Sequence, residues 1–192
     1  MKVFPLYISL LPCFLFGGNL DVLQSFKHLF KEGKILQMPI EFVQIQENQS
    51  YKSQGDFLFF SQDQYQFESS EQSIYFHQDT VWTMNHGSQQ IIIDQLLSDE
   101  FSFFNILLGQ FEGIEFLDPI IEKGIFRYAF NISDWDLRGD LILYTNGNPK
   151  RIELYIDEKQ STSIEIGKLS YPKSKQFNVE FPETWEVIDL RE

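Results

Sequence analysis

Residues 55–67 read GDFLFFSQDQYQF. Phe57 and Phe59 stand two apart, as do Tyr65 and Phe67, and Ser61-Gln62-Asp63 between them is turn-prone. A period of two sends alternate side chains to one face of a strand. The stretch therefore predicts an antiparallel hairpin with four aromatic rings on a shared face. Around it lie segments of strand length, roughly 39–47, 51–60, 64–70, 72–78, 80–85 and 89–96. Polar residues such as Asn48-Gln49-Ser50 and Asn85-His86-Gly87 separate them. Spacing this close suits antiparallel meanders and leaves no room for crossover helices.

The pattern resumes at Ile125, with strands expected at 125–132, 137–145, 150–157, 161–169 and 175–181. Asn146-Gly147 is the strongest hairpin signal, because both residues accept the positive φ of a tight turn. Residues 113–124, with Pro119, read as irregular. Two helices are expected. In residues 19–32, Val22, Leu23, Phe26, Leu29 and Phe30 fall at helical spacing, Asn19 or Asp21 can cap the start, and Gly33 ends it. The second follows a Ser98-Asp99 cap and carries Phe101, Phe103, Phe104, Ile106, Leu107 and Leu108 on nearly every side. Such a helix must be buried all round or face a second apolar surface. With 20 Phe, 8 Tyr and 3 Trp, the chain has the composition of a β protein with large apolar faces. A long sheet with one aromatic face and few helices to cover it curls around them. No linker or repeat interrupts residues 19–192, which read as a single domain.

Residues 1–18 read as a signal peptide: Lys2 supplies a positive start, Val3–Phe16 is an apolar run too short to span a bilayer comfortably, and Gly17-Gly18 offers small residues for cleavage. Cys13, the sole cysteine, lies inside it. It reads as an apolar residue lost with the signal; lipidation at Cys13 would instead make an anchored protein, although Pro12 is a poor neighbour for that modification. Cleavage after Gly18 leaves no thiol, which removes disulfides, thiolate catalysis and cysteine metal sites together. The net charge of −13 with no cluster of Lys and Arg argues against nucleic-acid binding and against retention on an anionic membrane. No G-x-S-x-G, H-E-x-x-H, G-x-x-x-x-G-K or G-x-G-x-x-G motif occurs. His28, His77 and His86 have no metal-ligand spacing, and Asp134 and Asp136 read as a solvated acidic pair. No catalytic residue, metal or cofactor is expected.

The order of motifs resembles the periplasmic outer-membrane lipoprotein carrier family, LolA. A Gly55-Asp56-Phe57-Leu58-Phe59 strand leads to the Tyr65/Phe67 pair, then to Ser73–Phe76 and to the Thr80-Val81-Trp82 strand. A closing Phe177-Asn178-Val179-Glu180-Phe181-Pro182 segment precedes Val187-Ile188-Asp189. The likeness runs from about Leu20 to Asp189. It implies a mainly β fold with a few helices: a strongly curved, unclosed antiparallel β-barrel, or half-barrel, with helices covering its mouth as a lid. It also implies a monomeric periplasmic carrier, not an enzyme, that takes lipidated lipoproteins as cargo from an inner-membrane ABC transporter to an outer-membrane acceptor. A membrane-anchored acceptor or lipid-binding protein of the same fold is the alternative.

The acyl-chain cavity is then expected to use Phe42, Phe57, Phe59, Tyr65, Phe67 and Trp82 from the sheet and Phe101, Phe103, Phe104 and Leu107 from the lid. A chain of about sixteen carbons costs on the order of 12 kcal/mol to expose to water, so cargo of this kind needs such a shield. In one respect the sequence departs from the family. An Arg-Pro that follows the G-x-F-x-F strand in the family, and whose Arg helps latch the lid, is here Ser61-Gln62.

Overall fold

The hairpin expected from residues 55–67 lies at the centre of one large sheet. The computed structural model describes residues 18–31, 33–47, 49–96, 103–157 and 159–191. Most of the expected signal segment (residues 1–17, with Cys13), the Ser98-Asp99 cap and Phe101 lie outside the described residues.

The chain starts with helix α1 (Gly18–Lys27), whose last turn tightens into a 3₁₀ turn over His28–Phe30. Strand β1 (Leu36–Gln46) then runs against β2 (Gln49–Ser61), and β2 against β3 (Gln64–Ser69). Phe57 lies opposite Phe67 and Phe59 opposite Tyr65, with a bulge between Phe59 and Ser61. All four rings consequently occupy one face. Gly55 is required beneath them: a Cβ there would lie 2.7 Å from the Phe67 ring, which covers the strand at that point.

The meander continues through β4 (Gln72–His77), β5 (Thr80–Asn85) and β6 (Gln90–Gln95). Helix α2 (Phe103–Leu107) follows. The region read as irregular contributes two short strands, β7 (Glu115–Phe116) and β8 (Ile120–Glu122), both paired with β9 (Ile125–Ile132). These strands are two and three residues long, below the length at which alternation is visible. Strands β10 (Leu137–Tyr144), β11 (Pro149–Tyr155) and β12 (Gln160–Ile166) complete the second meander. Gly147 takes φ +81° in the β10–β11 turn, and a Cβ on it would meet Ser25 and Phe26 of α1. The residue thus serves both the turn and the seating of the helix.

β12 returns to pair with β1, placing Ile164 opposite Phe42 and joining the two meanders. The path through the sheet is β13-β6-β5-β4-β3-β2-β1-β12-β11-β10-β9-β7. Its ends do not pair with each other, so this mainly β fold is a curved half-barrel. Strand β13 (Glu186–Asp189) lies parallel to β6, whereas the other pairings described are antiparallel. A strand expected at 175–181 does not form. Its alternating Phe177, Val179 and Phe181 belong to an unpaired strap that crosses the convex face of the sheet between β12 and β13. The alternation is real, but it records packing on one side rather than a ladder.

Candidate functional site

The concave face is built by both meanders. From the first come Leu36, Met38, Phe57 and Phe59, each fully buried, with Tyr65, Phe67 and Phe76; from the second come Phe126, Tyr128, Phe130 and Ile132 on β9, Leu141 on β10, Ile152 on β11 and Ile164 on β12. Each fully buried apolar side chain contributes about 1.5–3 kcal/mol, so this face dominates the apolar stabilisation of the fold.

Two helices cover it. Phe26 and Phe30 of the α1 region stack edge to face at 5.4 Å, and Phe30 meets Phe59 at 5.3 Å. Helix α2 is the second cover. Phe104 stacks on Phe57 at 5.6 Å and reaches Tyr65 at 5.3 Å, while half-buried Phe103 lies 5.6 Å from Phe42. Ile106, Leu107 and Leu108 are buried as well. A helix apolar on nearly every side is thus seated on the concave sheet, with Asn105 left facing the margin. Ring pairs of this kind are stabilised mainly by apolar burial, with a smaller preference for stacked or edge-to-face geometry.

Of the residues singled out in sequence, Phe57, Phe59, Tyr65, Phe67, Phe104 and Leu107 come together in this core, and Phe42 and Phe103 pack at its margin. Trp82 does not join them. It lies opposite Tyr75 and Ile93 and packs on the convex side with Phe181 at 6.4 Å. Its neighbour Val81, opposite Phe76, is the residue of β5 that faces inward. With Val81 and Trp82 both apolar, alternation alone does not say which points to which face. Sequence reasoning also left out Phe26, Phe30, Phe76 and the β9 series Phe126, Tyr128, Phe130 and Ile132. The last four carry the same period-two signal as Phe57 and Phe59.

Burial pushes the Tyr65 phenol well above its ordinary range, and Tyr128 up to about 12, so both stay neutral in the core. At the margin, a cleft of about 520 Å³ opens beside α2, floored by Tyr65 and Phe76. Ser61 donates to the Asp63 carboxylate at its edge (2.5 Å), a bond that holds Asp63 below the usual carboxylate range.

The remaining polar candidates are dispersed. His28 is exposed, His77 packs against Phe177, and His86 bonds Ser73 and the Ser70 carbonyl. Asp134 and Asp136 are exposed around a 3₁₀ turn. Among the described residues no group of three or more His, Cys, Asp or Glu converges as a metal site, and no helix is long and apolar enough to cross a membrane.

No family model matches this sequence, and no curated protein matches it. Solved structures do. An uncharacterized conserved protein from Thermus thermophilus superposes with a TM-score of 0.56 at 7% identity, over 88% of this chain and 98% of that one. That likeness is one of fold. A Vibrio parahaemolyticus domain described as a putative outer membrane lipoprotein-sorting protein aligns with a TM-score of 0.49 at 10% identity, over 82% of this chain and 94% of that one. A LolA superfamily protein from Nitrosomonas europaea aligns with a TM-score of 0.44 at 10% identity, over 82% and 95%. LolA superfamily proteins are among its structural neighbours.

The position where the resemblance leads one to expect an Arg is Ser61, which bonds Asp63; its neighbour Gln62 links the two covering elements. Its amide donates to the Phe30 carbonyl (3.4 Å) and accepts from Gln110 just beyond α2 (2.7 Å), tying together the ends of the two covering elements.

Proposed function

We propose that this protein is a periplasmic carrier that holds the acyl chains of lipoproteins against the concave aromatic face. It takes them from an inner-membrane ABC transporter to an outer-membrane acceptor. The observation that carries this reading is the seating of α2, a short helix apolar on nearly every side whose Phe104 stacks on Phe57 and reaches Tyr65. Acyl chains offer that face apolar contact of the same kind, so they can take the place of Phe104 and Leu107 against it. Phe42, Phe57, Phe59, Tyr65 and Phe67 form the bed, and Phe103, Phe104 and Leu107 the cover. Phe101 extends the cover in sequence. The motif order quoted above supports the same reading, and binding rather than catalysis is the role of the site. Residues 1–18 direct export and are removed.

The test is an environment-sensitive acyl probe added to the mature protein, followed by hydrogen exchange over residues 103–110. The probe is expected to bind, to be displaced by a lipoprotein, and to deprotect those amides while the central strands stay protected. No probe binding, or amides in 103–110 as protected as the strands in both states, overturns the carrier reading. N-terminal sequencing is expected to find a start between residues 17 and 20. A start at a diacylated Cys13 makes the protein a membrane-anchored acceptor instead.

A further inference from the structure

The cleft beside α2 differs in chemistry from the face it adjoins. Its floor, Tyr65 stacked on Phe76 at 4.5 Å, belongs to the concave core, so an acyl chain on that face and a group in the cleft would be contiguous. Its rim is polar and carries four glutamines (Gln62, Gln78, Gln95 and Gln110), with Asn105 of α2. Side-chain amides both donate and accept, which is the pattern that a peptide backbone presents. The charged groups of the lining are two carboxylates, Asp63 and Asp79, and no Lys or Arg is among them. Both carboxylates are held by hydrogen bonds: Asp79 accepts from Gln95 (2.9 Å) and Thr80 (3.2 Å), and Asp63 from Ser61. His77 and Arg191 act on them from outside the lining.

We infer that this cleft seats the polar head of an acylated cargo, and that its amide and carboxylate rim favours a peptide head over an anionic phosphate head. The inference rests on the carrier reading and adds the chemistry by which the carrier distinguishes a lipopeptide from a membrane phospholipid of equal chain length. Acyl chains are alike in the two ligands, so the concave face alone cannot separate them. Discrimination has to come from the head, through matched amides for one and like-charge repulsion for the other. Displacing α2 also parts Gln110 from Gln62, which frees amide groups at the rim as the head arrives.

The experiment compares a dipalmitoylglyceryl-cysteinyl peptide of neutral sequence with dipalmitoyl phosphatidylglycerol, each displacing the acyl probe from the mature protein. The unmodified protein is expected to prefer the lipopeptide by about tenfold. An Asp79→Lys, Gln95→Lys variant is expected to bring the two to near parity or to invert them. Both positions are exposed, and an unchanged melting temperature verifies the fold. Equal affinities in the unmodified protein, or a preference that survives the double substitution, overturn the inference while leaving the carrier reading in place. If neither ligand displaces the probe, the carrier reading falls with it.

Discussion

The two faces of the half-barrel are written in the same period-two code and closed in opposite ways. The concave face is the larger and is shared by both meanders, and one of its two covers is a five-residue helix. The backbone hydrogen bonds described for that helix and its exit run within the segment, from Leu108 to Phe104, Gly109 to Ile106 and Gln110 to Asn105. The convex face carries a smaller cluster of Tyr75, Met84 and Ile91, with Trp82, Ile93, Phe177, Val179 and Trp185 around it. Its cover is sewn to the sheet at both ends. Gln37 and Ser170 exchange backbone bonds (2.9 and 3.0 Å), Gly167 donates to Pro39, and β13 pairs with β6 through Val187 and Ile188. Elsewhere the convex face is closed by polar pairs, as where Arg127 meets buried Asp140 at 2.6 Å and Tyr155 donates to Glu153 at 2.7 Å. A cover held by side chains alone can leave as a unit, whereas one held by its backbone cannot leave without breaking a ladder. On this difference α2 is expected to open more readily than the strap.

The sharpest way to break the comparison is Phe104→Asp. An unpaired charge placed against Phe57 and Tyr65 is expected to cost the seated helix about 3 kcal/mol. Exchange of residues 103–110 then rises about a hundredfold and the acyl probe is no longer retained, while the β-strand amides are unchanged. Strands that melt together with the helix would make α2 a part of the cooperative core.

A pair of charges separates the faces. Phe42→Asp, at the half-buried margin beneath Phe103, is expected to weaken probe binding by about tenfold, or about 1.4 kcal/mol. Trp82→Asp is expected to leave probe affinity within about twofold while raising exchange in the strap. Equal effects on affinity would mean that the two faces are not independent.

Phe177→Ala tests the strap. Phe177 fits between Phe60, Tyr75 and His77. Its half-buried ring is expected to contribute about 1–2 kcal/mol, seen as a fall of about 2–8 °C in melting temperature and faster proteolysis within residues 171–185. Probe affinity stays the same. The smallest effect is expected from Gln62→Ala, which removes one partly exposed amide bridge worth about 0.5–1 kcal/mol. It should raise exchange at residues 106–110 a few-fold and leave the strap untouched.

What was legible in the sequence was local. Phe57, Phe59, Tyr65 and Phe67 could be put on one face because two strands and their turn lie within thirteen residues. The nearly all-round apolar character of Phe103–Leu108 required a helix buried or set against a second apolar surface, and Asn146-Gly147 specified its turn from backbone conformation alone. Trp82 was not decidable in this way, because Val81 beside it is equally apolar and only the register with β4 and β6 says which of the two faces inward. Phe177, Val179 and Phe181 alternate as a strand would, but side-chain periodicity reports one-sided burial, and whether a ladder forms depends on an edge being free to receive it. The parallel pairing of Val187 with Ile91 joins residues almost a hundred positions apart, and no local pattern encodes such a distance. The sequence by itself determined which segments alternate, turn or coil, because those preferences act over a few residues. Which face each segment presents, and which of the two covers is fastened by its backbone, was decided by tertiary pairing, because hydrogen-bond partners and apolar neighbours are assigned only when distant strands meet.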